Sequence, residues 1–312
     1  TKGDGSAIGK LFGMFDYYIV FPRDRYDQIR SVDRDIAKYN FINLQWDAVE
    51  LITLANLRLE YIYDIKPSTN MEPKDRFAYL IKRLFPKIPS EVNIEIMNQT
   101  FRVDLFQYIL SMSFWNPRDI LAHIAALSNA YRQGETQQSI VPDQNTIRRI
   151  ISNTAETIIE KELYKEFCEV FLNIREVMNQ FRGKTLSMTV DDFSEIISCT
   201  VFRTNYEYEC NNLEQKIRLL YELGIVGVRF LDQNEKKWKL GTNICFVFNE
   251  GMKPINTILS DLHMCKNICT FVFNPILIEH LSLVDNVLKV IGNYGWDYLE
   301  QNHLAKEIIH QM

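Results

Sequence analysis

The amino-acid sequence predicts a mainly α protein with minor β, and three features of its composition favour this class. Glycine is scarce, with 12 residues in 312, whereas phenylalanine and tyrosine are plentiful at 19 and 15. Hydrophobic residues make up 46% and charged residues 24%, which excludes a disordered or collagen-like chain. The length predicts roughly two domains of about 150 residues each. The net charge of -5 excludes a uniformly basic nucleic-acid coat but leaves room for a local basic face.

Two short strands and a helix are predicted at the start of the chain. Residues 16–22 form an apolar run, rich in β-branched and aromatic side chains, that ends at Pro22. Residues 40–44 form a second run of this kind. A helix over 47–62 is predicted next, because Asp47 can cap its first turn and apolar residues recur at helical spacing.

Four further helical stretches are predicted before residue 184, again from the spacing of apolar residues. They cover 75–85, 98–112, 116–133 and about 144–181. Asn116 is a good cap for the third, and Pro117 occupies a position where its missing amide costs nothing. Gly134 and Gly183 end the third and fourth stretches.

The pattern changes after Lys184 and gives the order of a winged helix. Two helices, the first capped by Thr189 with Asp192 three residues later, precede a β-hairpin, and Gly224 ends the second helix. The helices cover 189–199 and 213–223, and the hairpin comprises 225–231, the polar turn 232–237, the return run 238–240 and the apolar run 244–248. The last stretch, from Pro275, is predicted to be helical.

The sequence argues against membrane spans and metal sites. No window of about 18 residues lacks charge, so no transmembrane helix is expected. The six cysteines show no framework spacing, which favours reduced thiols in a cytoplasmic protein. Cys265 and Cys269, with His263 nearby, are candidate zinc ligands, but zinc needs four ligands and helix-face packing is the simpler interpretation.

No catalytic constellation is found in the sequence. The segment 3–10 (Gly-Asp-Gly-Ser-Ala-Ile-Gly-Lys) lacks the P-loop spacing, since Asp4 stands where the first glycine is needed and Leu11 where the hydroxyl is needed. The five histidines are scattered without a ligand-like pair.

Three arginines are placed where an anionic ligand could be met. Arg23 and Arg25 directly follow the first predicted strand, and ligands often bind at strand ends. Arg118 lies in the first turn of the third helical stretch, from which it could reach a polyphosphate. The competing interpretation is a surface salt bridge, with Asp24, Asp27 or Asp119 as the partner.

The hairpin of the predicted winged helix carries a modest positive excess. Its basic residues are Arg229, Lys236, Lys237 and Lys239. Wings use such residues to contact nucleic-acid phosphates. The second helix, however, balances Lys216 and Arg218 against Glu214 and Glu222, so protein contacts remain the alternative use of this module.

The order of these pieces resembles the part of bacterial STAND-like and KAP-related P-loop ATPases that follows Walker B. The N-terminal segments that carry the resemblance are Pro22-Arg23-Asp24-Arg25-Tyr26, Asn43-Leu44-Gln45-Trp46-Asp47 and Leu57-Arg58-Leu59. Asn116-Pro-Arg-Asp-Ile-Leu121 resembles the motif in which an arginine senses the nucleotide, so the resemblance gives Arg118 that role. Leu220–Gly227 and 273–277 resemble the winged helix and the strand–helix junction that closes it.

The resemblance implies four parts. They are the end of an ATPase-like α/β core (1–46), a helical lid bundle (47–183), a winged-helix domain (184–275) and a C-terminal helical extension (276–312). Walker A and Walker B are missing from the chain, so ATP and magnesium are expected only if a core lies upstream of Thr1, and the chain is not catalytic on its own.

The resemblance also implies partners and a setting. The expected partners are an upstream ATPase core or another protein, nucleic acid at the wing, and a further copy of the chain, with no membrane. The implied context is bacterial anti-phage defence. The alternatives are a stand-alone helical interaction protein with a winged helix and a DNA-binding regulator without ATPase activity.

Overall fold

The computed structural model describes residues 46–66, 71–96, 99–136, 143–169, 171–205, 210–230, 244–245, 253–262 and 264–284. Helices dominate these residues, and their strands form two small antiparallel sheets. The predicted class, mainly α with minor β, is therefore confirmed. The strands predicted at 16–22 and 40–44 and the return run 238–240 lie outside the described residues.

The first described helices form a pair whose start the sequence predicts well. Helix α1 (Ala48–Tyr63) begins at Asp47, whose carboxylate accepts a hydrogen bond from the Glu50 amide at 2.7 Å, while Glu50 accepts one from the Asp47 amide. This capping box satisfies two amides that the helix itself leaves free. Helix α2 (Pro73–Leu84) packs against α1 and ends before Pro86 as predicted.

A β-hairpin replaces the start of the helix predicted over 98–112, so that prediction is wrong in its first half. Strands β1 (Glu91–Ile96) and β2 (Gln99–Asp104) pair antiparallel. The sequence Thr-Phe-Arg-Val over 100–103 alternates polar and apolar residues, which suits a strand. Asp104 then caps helix α3 (Leu105–Ser111) by accepting hydrogen bonds from the Phe106 and Gln107 amides.

The predicted helices after residue 116 exist, but with different ends. Helix α4 (Pro117–Thr136) runs past Gly134, where the sequence predicted an end. The continuous helix predicted over 144–181 is wrong, because helix α5 (Gln144–Ile158) passes into a π-helical segment (Ile159–Glu166) and a 3₁₀ turn (Phe167–Glu169) before helix α6 (Ile174–Asn179). Phe171 then pairs with Thr204 in an isolated bridge.

The second sheet is assembled from distant parts of the chain. Strand β3 (Ser187–Thr189) leads into helix α7 (Val190–Cys199), which Thr189 caps as predicted, and helix α8 (Leu213–Glu222) leads into strand β4 (Val226–Phe230). The elements that follow are β5 (Ile244–Cys245), helix α9 (Lys253–Ser260), a 3₁₀ turn (Met264–Asn267), strand β6 (Cys269–Phe273) and helix α10 (Leu277–His280). The strand order is β3-β6-β4-β5.

The order of elements from β3 to β5 has the two helices and the paired strands that the sequence predicted. Strand β4 pairs antiparallel with β5, with Val228 opposite Cys245. Strand β6 lies between β3 and β4, a central position that the simple helix–helix–hairpin order does not contain. Gly224 adopts a positive φ of 67° at the end of α8, as expected of a helix-ending glycine.

One hydrophobic core runs through the described residues, which all belong to a single compact unit, Gln45–Met312. Phe181, in the predicted lid, lies 5.5 Å from Phe193 and 4.9 Å from Phe273 between ring centroids. Aromatic pairs at these separations stabilise beyond their buried area. The two regions on either side of the predicted boundary at 183 therefore share packing.

Candidate functional site

The turn before helix α4 is the most constrained segment among the described residues that carry a predicted site. Trp115 is buried and has a φ of 58°, in the left-handed region that bulky side chains avoid. Such strain often accompanies functional turns, where the surroundings enforce it. The side chain of Asn116 accepts a hydrogen bond from the Asp119 amide at 2.9 Å, so Asn116 caps the helix as predicted.

Asp119 is buried, with 1% of its surface exposed. Its Oδ2 accepts a hydrogen bond from the Phe114 amide at 2.8 Å, which fixes the strained turn to the helix. Burial, and after it the negative charge of Glu162, raises the pKa of Asp119 to about 8. The Oδ1 atom of Asp119 has no hydrogen-bond partner when the carboxyl is ionised. A proton on Oδ1 accounts for the raised pKa and also gives Oδ1 a hydrogen-bond partner, because the neutral acid can donate to Glu162.

Glu162 connects this turn to the π-helical segment. Its Oε2 accepts a hydrogen bond from the Asn116 side-chain amide at 2.7 Å. One buried acid and one carboxylate from distant parts of the chain thus meet beside the helix start. π-Helical turns are rare and often mark functional positions.

Arg118 lies on the exposed side of Glu162. Its side chain is 71% exposed, and its Nη1 lies 3.0 Å from Oε1 of Glu166 and 3.3 Å from Oε1 of Glu162. The hydrogen bond to Glu166, then the charge of Glu162, raises the pKa of Arg118, so the guanidinium is always charged. The sequence foresaw a salt bridge as the competing interpretation but named Asp119 as the partner. That partner is wrong, because the Asp119 carboxylate is directed into the core.

His123, one turn after Asp119, was missed by sequence reasoning. It is fully buried, and its Nε2 lies 2.7 Å from the Met112 carbonyl oxygen. Burial lowers the pKa of His123 to about 4, so the neutral ring donates from Nε2 to that carbonyl. The contact fixes the chain two residues before Phe114, on the same side of the strained Trp115 as the Asp119 contact. No pattern in the sequence distinguishes this histidine from the others.

The predicted nucleic-acid face is only partly described. Arg229 lies on β4, opposite Thr270 of β6, and is half-buried; burial lowers its pKa. Lys236, Lys237 and Lys239 lie outside the described residues, as do Arg23, Arg25 and the segment 3–10.

Helix α8 has little basic surface to offer a nucleic acid. Lys216 donates to the carbonyl oxygens of Thr200 at 2.7 Å and Ile197 at 3.3 Å, so it caps the end of α7. Of the exposed charged residues on α8, only Arg218 is basic, beside Glu214 and Glu222.

Cys265 and Cys269, the candidate zinc ligands, are both buried. Cys269 lies in strand β6, not on the helix face that the sequence favoured, and its Sγ donates to the Cys265 carbonyl at 3.4 Å. Burial raises the pKa of both thiols. No group of three potential ligands is found within the described residues, which do not include His263.

A cleft of ≈ 760 Å³ separates helices α6 and α7. Val177 and Met188 contribute apolar surface to it, while Lys184 and Arg203 face three acids, Glu176, Asp192 and Glu195. The lining therefore has one acid in excess.

Within the described residues, no helix combines the length and apolar character needed to cross a bilayer.

The chain was compared with protein-family models, curated proteins and solved structures, and none of them matches.

Proposed function

We propose that this chain is the regulatory lid portion of a STAND-like P-loop ATPase, in which Arg118 senses the phosphates of a nucleotide held by another part of the protein. The observation that carries the proposal is the contrast at the start of α4. Arg118 is exposed and, within the described residues, held by carboxylates alone, whereas its neighbours Trp115 and Asp119 are buried and fixed. An exposed guanidinium at a helix start that buried contacts hold in place suits a sensor of nucleotide phosphates.

The carboxylates of Glu162 and Glu166 occupy the guanidinium as a phosphate would. Arginine recognises carboxylate and phosphate oxygens through the same planar donors. The Arg118–Glu166 pair is exposed and therefore weak, so a polyphosphate can replace Glu166 at small cost, while Glu162 keeps its hydrogen bond from Asn116. Arg118 would then report nucleotide state by exchanging partners, while Asn116 and Asp119 keep its helix in place.

The described residues fit this sensing role but not that of a complete nucleotide site. They contain no cluster of three groups able to hold magnesium, and the sequence has no Walker A or Walker B. Bound Mg·ATP supplies the triphosphate, and an upstream core would hold it. Arg118 is the one described residue to which we assign phosphate contact.

A second candidate, a winged-helix module for protein contacts without nucleotide, has one observation in its favour. Helix α8 uses Lys216 to cap α7 and leaves both acidic and basic residues on its surface. That surface suits a protein better than DNA, whose phosphates need a basic face. A DNA-binding regulator that uses Arg229, Lys236, Lys237 and Lys239 remains the third possibility.

The test is the affinity of the full-length gene product for Mg·ATP, measured by calorimetry. Arg118→Ala is expected to weaken binding about ten- to hundredfold, since it removes a charge-assisted hydrogen bond. Arg118→Lys should recover only part of the loss. Arg149→Ala removes another exposed arginine, distant in sequence from the α4 start, and should bind as the wild type does. Unchanged affinity in Arg118→Ala would favour the second candidate.

A further inference from the structure

Helix α1 has an apolar strip on the side that faces away from the core. Leu57 is 52% and Tyr61 81% exposed, and Leu54 is half-buried one turn before Leu57. Trp46, Val49 and Ile62 extend the exposed surface toward the two ends. We call these six residues the α1 strip.

The α1 strip is larger than scattered surface residues would give. Single exposed apolar side chains are normal, but a continuous strip along a helix marks an interaction surface. The same helix buries Leu51, Ile52, Ala55 and Leu59 on its other side. A helix that is apolar on both sides needs a second partner beyond the core it already covers.

Two charges border the strip symmetrically. Glu50 and Arg58 are both exposed and lie four residues on either side of Leu54. Arg58 forms no ion pair in the part of the chain that the structure describes. A helix with this pattern is complementary to itself when a second copy runs antiparallel, because Glu50 of each copy then faces Arg58 of the other.

We propose that the α1 strip is the contact surface of a homodimer, in which two α1 helices pack antiparallel about a two-fold axis close to Leu54. The apolar residues of both copies are buried against each other, and two Glu50–Arg58 pairs fix the register. The antiparallel arrangement of the two helix dipoles also favours the dimer electrostatically. The contact is isologous, so it closes at two copies.

The charges also argue against a lipid surface as the occupant. A membrane-binding helix carries a majority of lysines and arginines beside its apolar face. The α1 strip is bordered by Glu50 and Arg58, and the exposed Asp47 and Asp64 lie at its two ends, so it offers no net attraction to anionic lipid.

Sedimentation velocity of the 312-residue chain over a concentration series tests this proposal. The wild type should show a reversible monomer–dimer equilibrium. Leu57→Glu should remain monomeric, and Arg58→Glu should weaken the dimer about tenfold, since both pairs become repulsive. Glu50→Lys combined with Arg58→Glu should restore most of the affinity, because the pairs form again with their signs exchanged.

Two controls separate the contact from folding. Leu172→Glu changes a leucine of similar exposure outside the strip and should dimerise as the wild type does. Glu50→Gln with Arg58→Glu keeps the residue type that the cap needs and should recover part of the affinity by removing the repulsion. The proposal is overturned by a wild type that stays monomeric or polymerises, by a Leu57→Glu variant that still dimerises, or by double variants no better than Arg58→Glu.

Discussion

Glu60→Gln is expected to lower the free energy of unfolding by about 3 kcal/mol, because it leaves a partly buried guanidinium without its counter-charge. Glu60 on α1 is buried and accepts two hydrogen bonds from Arg76 on α2, one of them from Nε at 2.6 Å. The amide oxygen of glutamine still accepts one hydrogen bond, which keeps the loss at the lower end of the range for a broken buried pair. Urea denaturation followed by circular dichroism measures it.

The chain offers a matched control for this prediction. Glu160 and Arg175 form the same two-bonded pair, but both side chains are about half exposed. Glu160→Gln should cost less than about 1 kcal/mol, since water and salt screen that pair. Equal losses in the two variants would show that burial does not decide the strength of the α1–α2 pair.

Asp119→Asn is expected to remove a loss of stability that builds up between about pH 4 and pH 8. The pKa of Asp119 is raised in the folded protein to about 8, from an ordinary value near 4 in the unfolded chain. Folding therefore favours the protonated acid, and the stability it contributes is fully present below about pH 4 and is lost as pH rises to about 8. Asparagine stays neutral, can accept the Phe114 hydrogen bond and can donate to Glu162. The variant should be more stable than the wild type, by a margin that grows with pH.

The pH window for this comparison is set by the two pKa values of Asp119, near 4 in the unfolded chain and about 8 in the folded protein. His123, whose pKa is lowered to about 4, is present in both proteins, so its titration cancels in the difference. The margin of Asp119→Asn should therefore grow by about 1 kcal/mol for each pH unit between about pH 4 and 8 and stay constant above. Asp143→Asn, at an exposed cap with a lowered pKa, should give a stability difference that varies with pH only in acid and is constant at neutral pH. A margin for Asp119→Asn that does not change with pH would contradict a raised pKa.

The elements that sequence reasoning located correctly are those fixed by local chemistry. Caps at Asp47, Asn116 and Thr189 and the glycine end at Gly224 depend on a few neighbouring residues. The hairpin over 91–104 and strand β6 depend on partners elsewhere in the chain. Helical spacing in 98–112 hid the strand, because alternating and helical patterns overlap in a short apolar run.

The candidate site likewise contains one feature that the local sequence predicts and others that depend on distant parts of the chain. The motif around Arg118 placed the arginine at a helix start, and the structure has it there. Its partners Glu162 and Glu166 lie more than forty residues away, on a π-helical segment that no local pattern predicts. The burial of Asp119 and His123 follows from packing around the strained Trp115, so their shifted pKa values could not be inferred from spacing.

The proposed role of Arg118 depends on a nucleotide core that the described residues do not supply. Determination of the coding sequence directly upstream of Thr1 tests this most directly. The account predicts an open reading frame that continues upstream and encodes Gly-x-x-x-x-Gly-Lys-(Ser/Thr) after an apolar strand, the element that wraps the phosphates. A reading frame that begins at Thr1 with only a start codon before it, or an upstream region without this motif, would contradict the account.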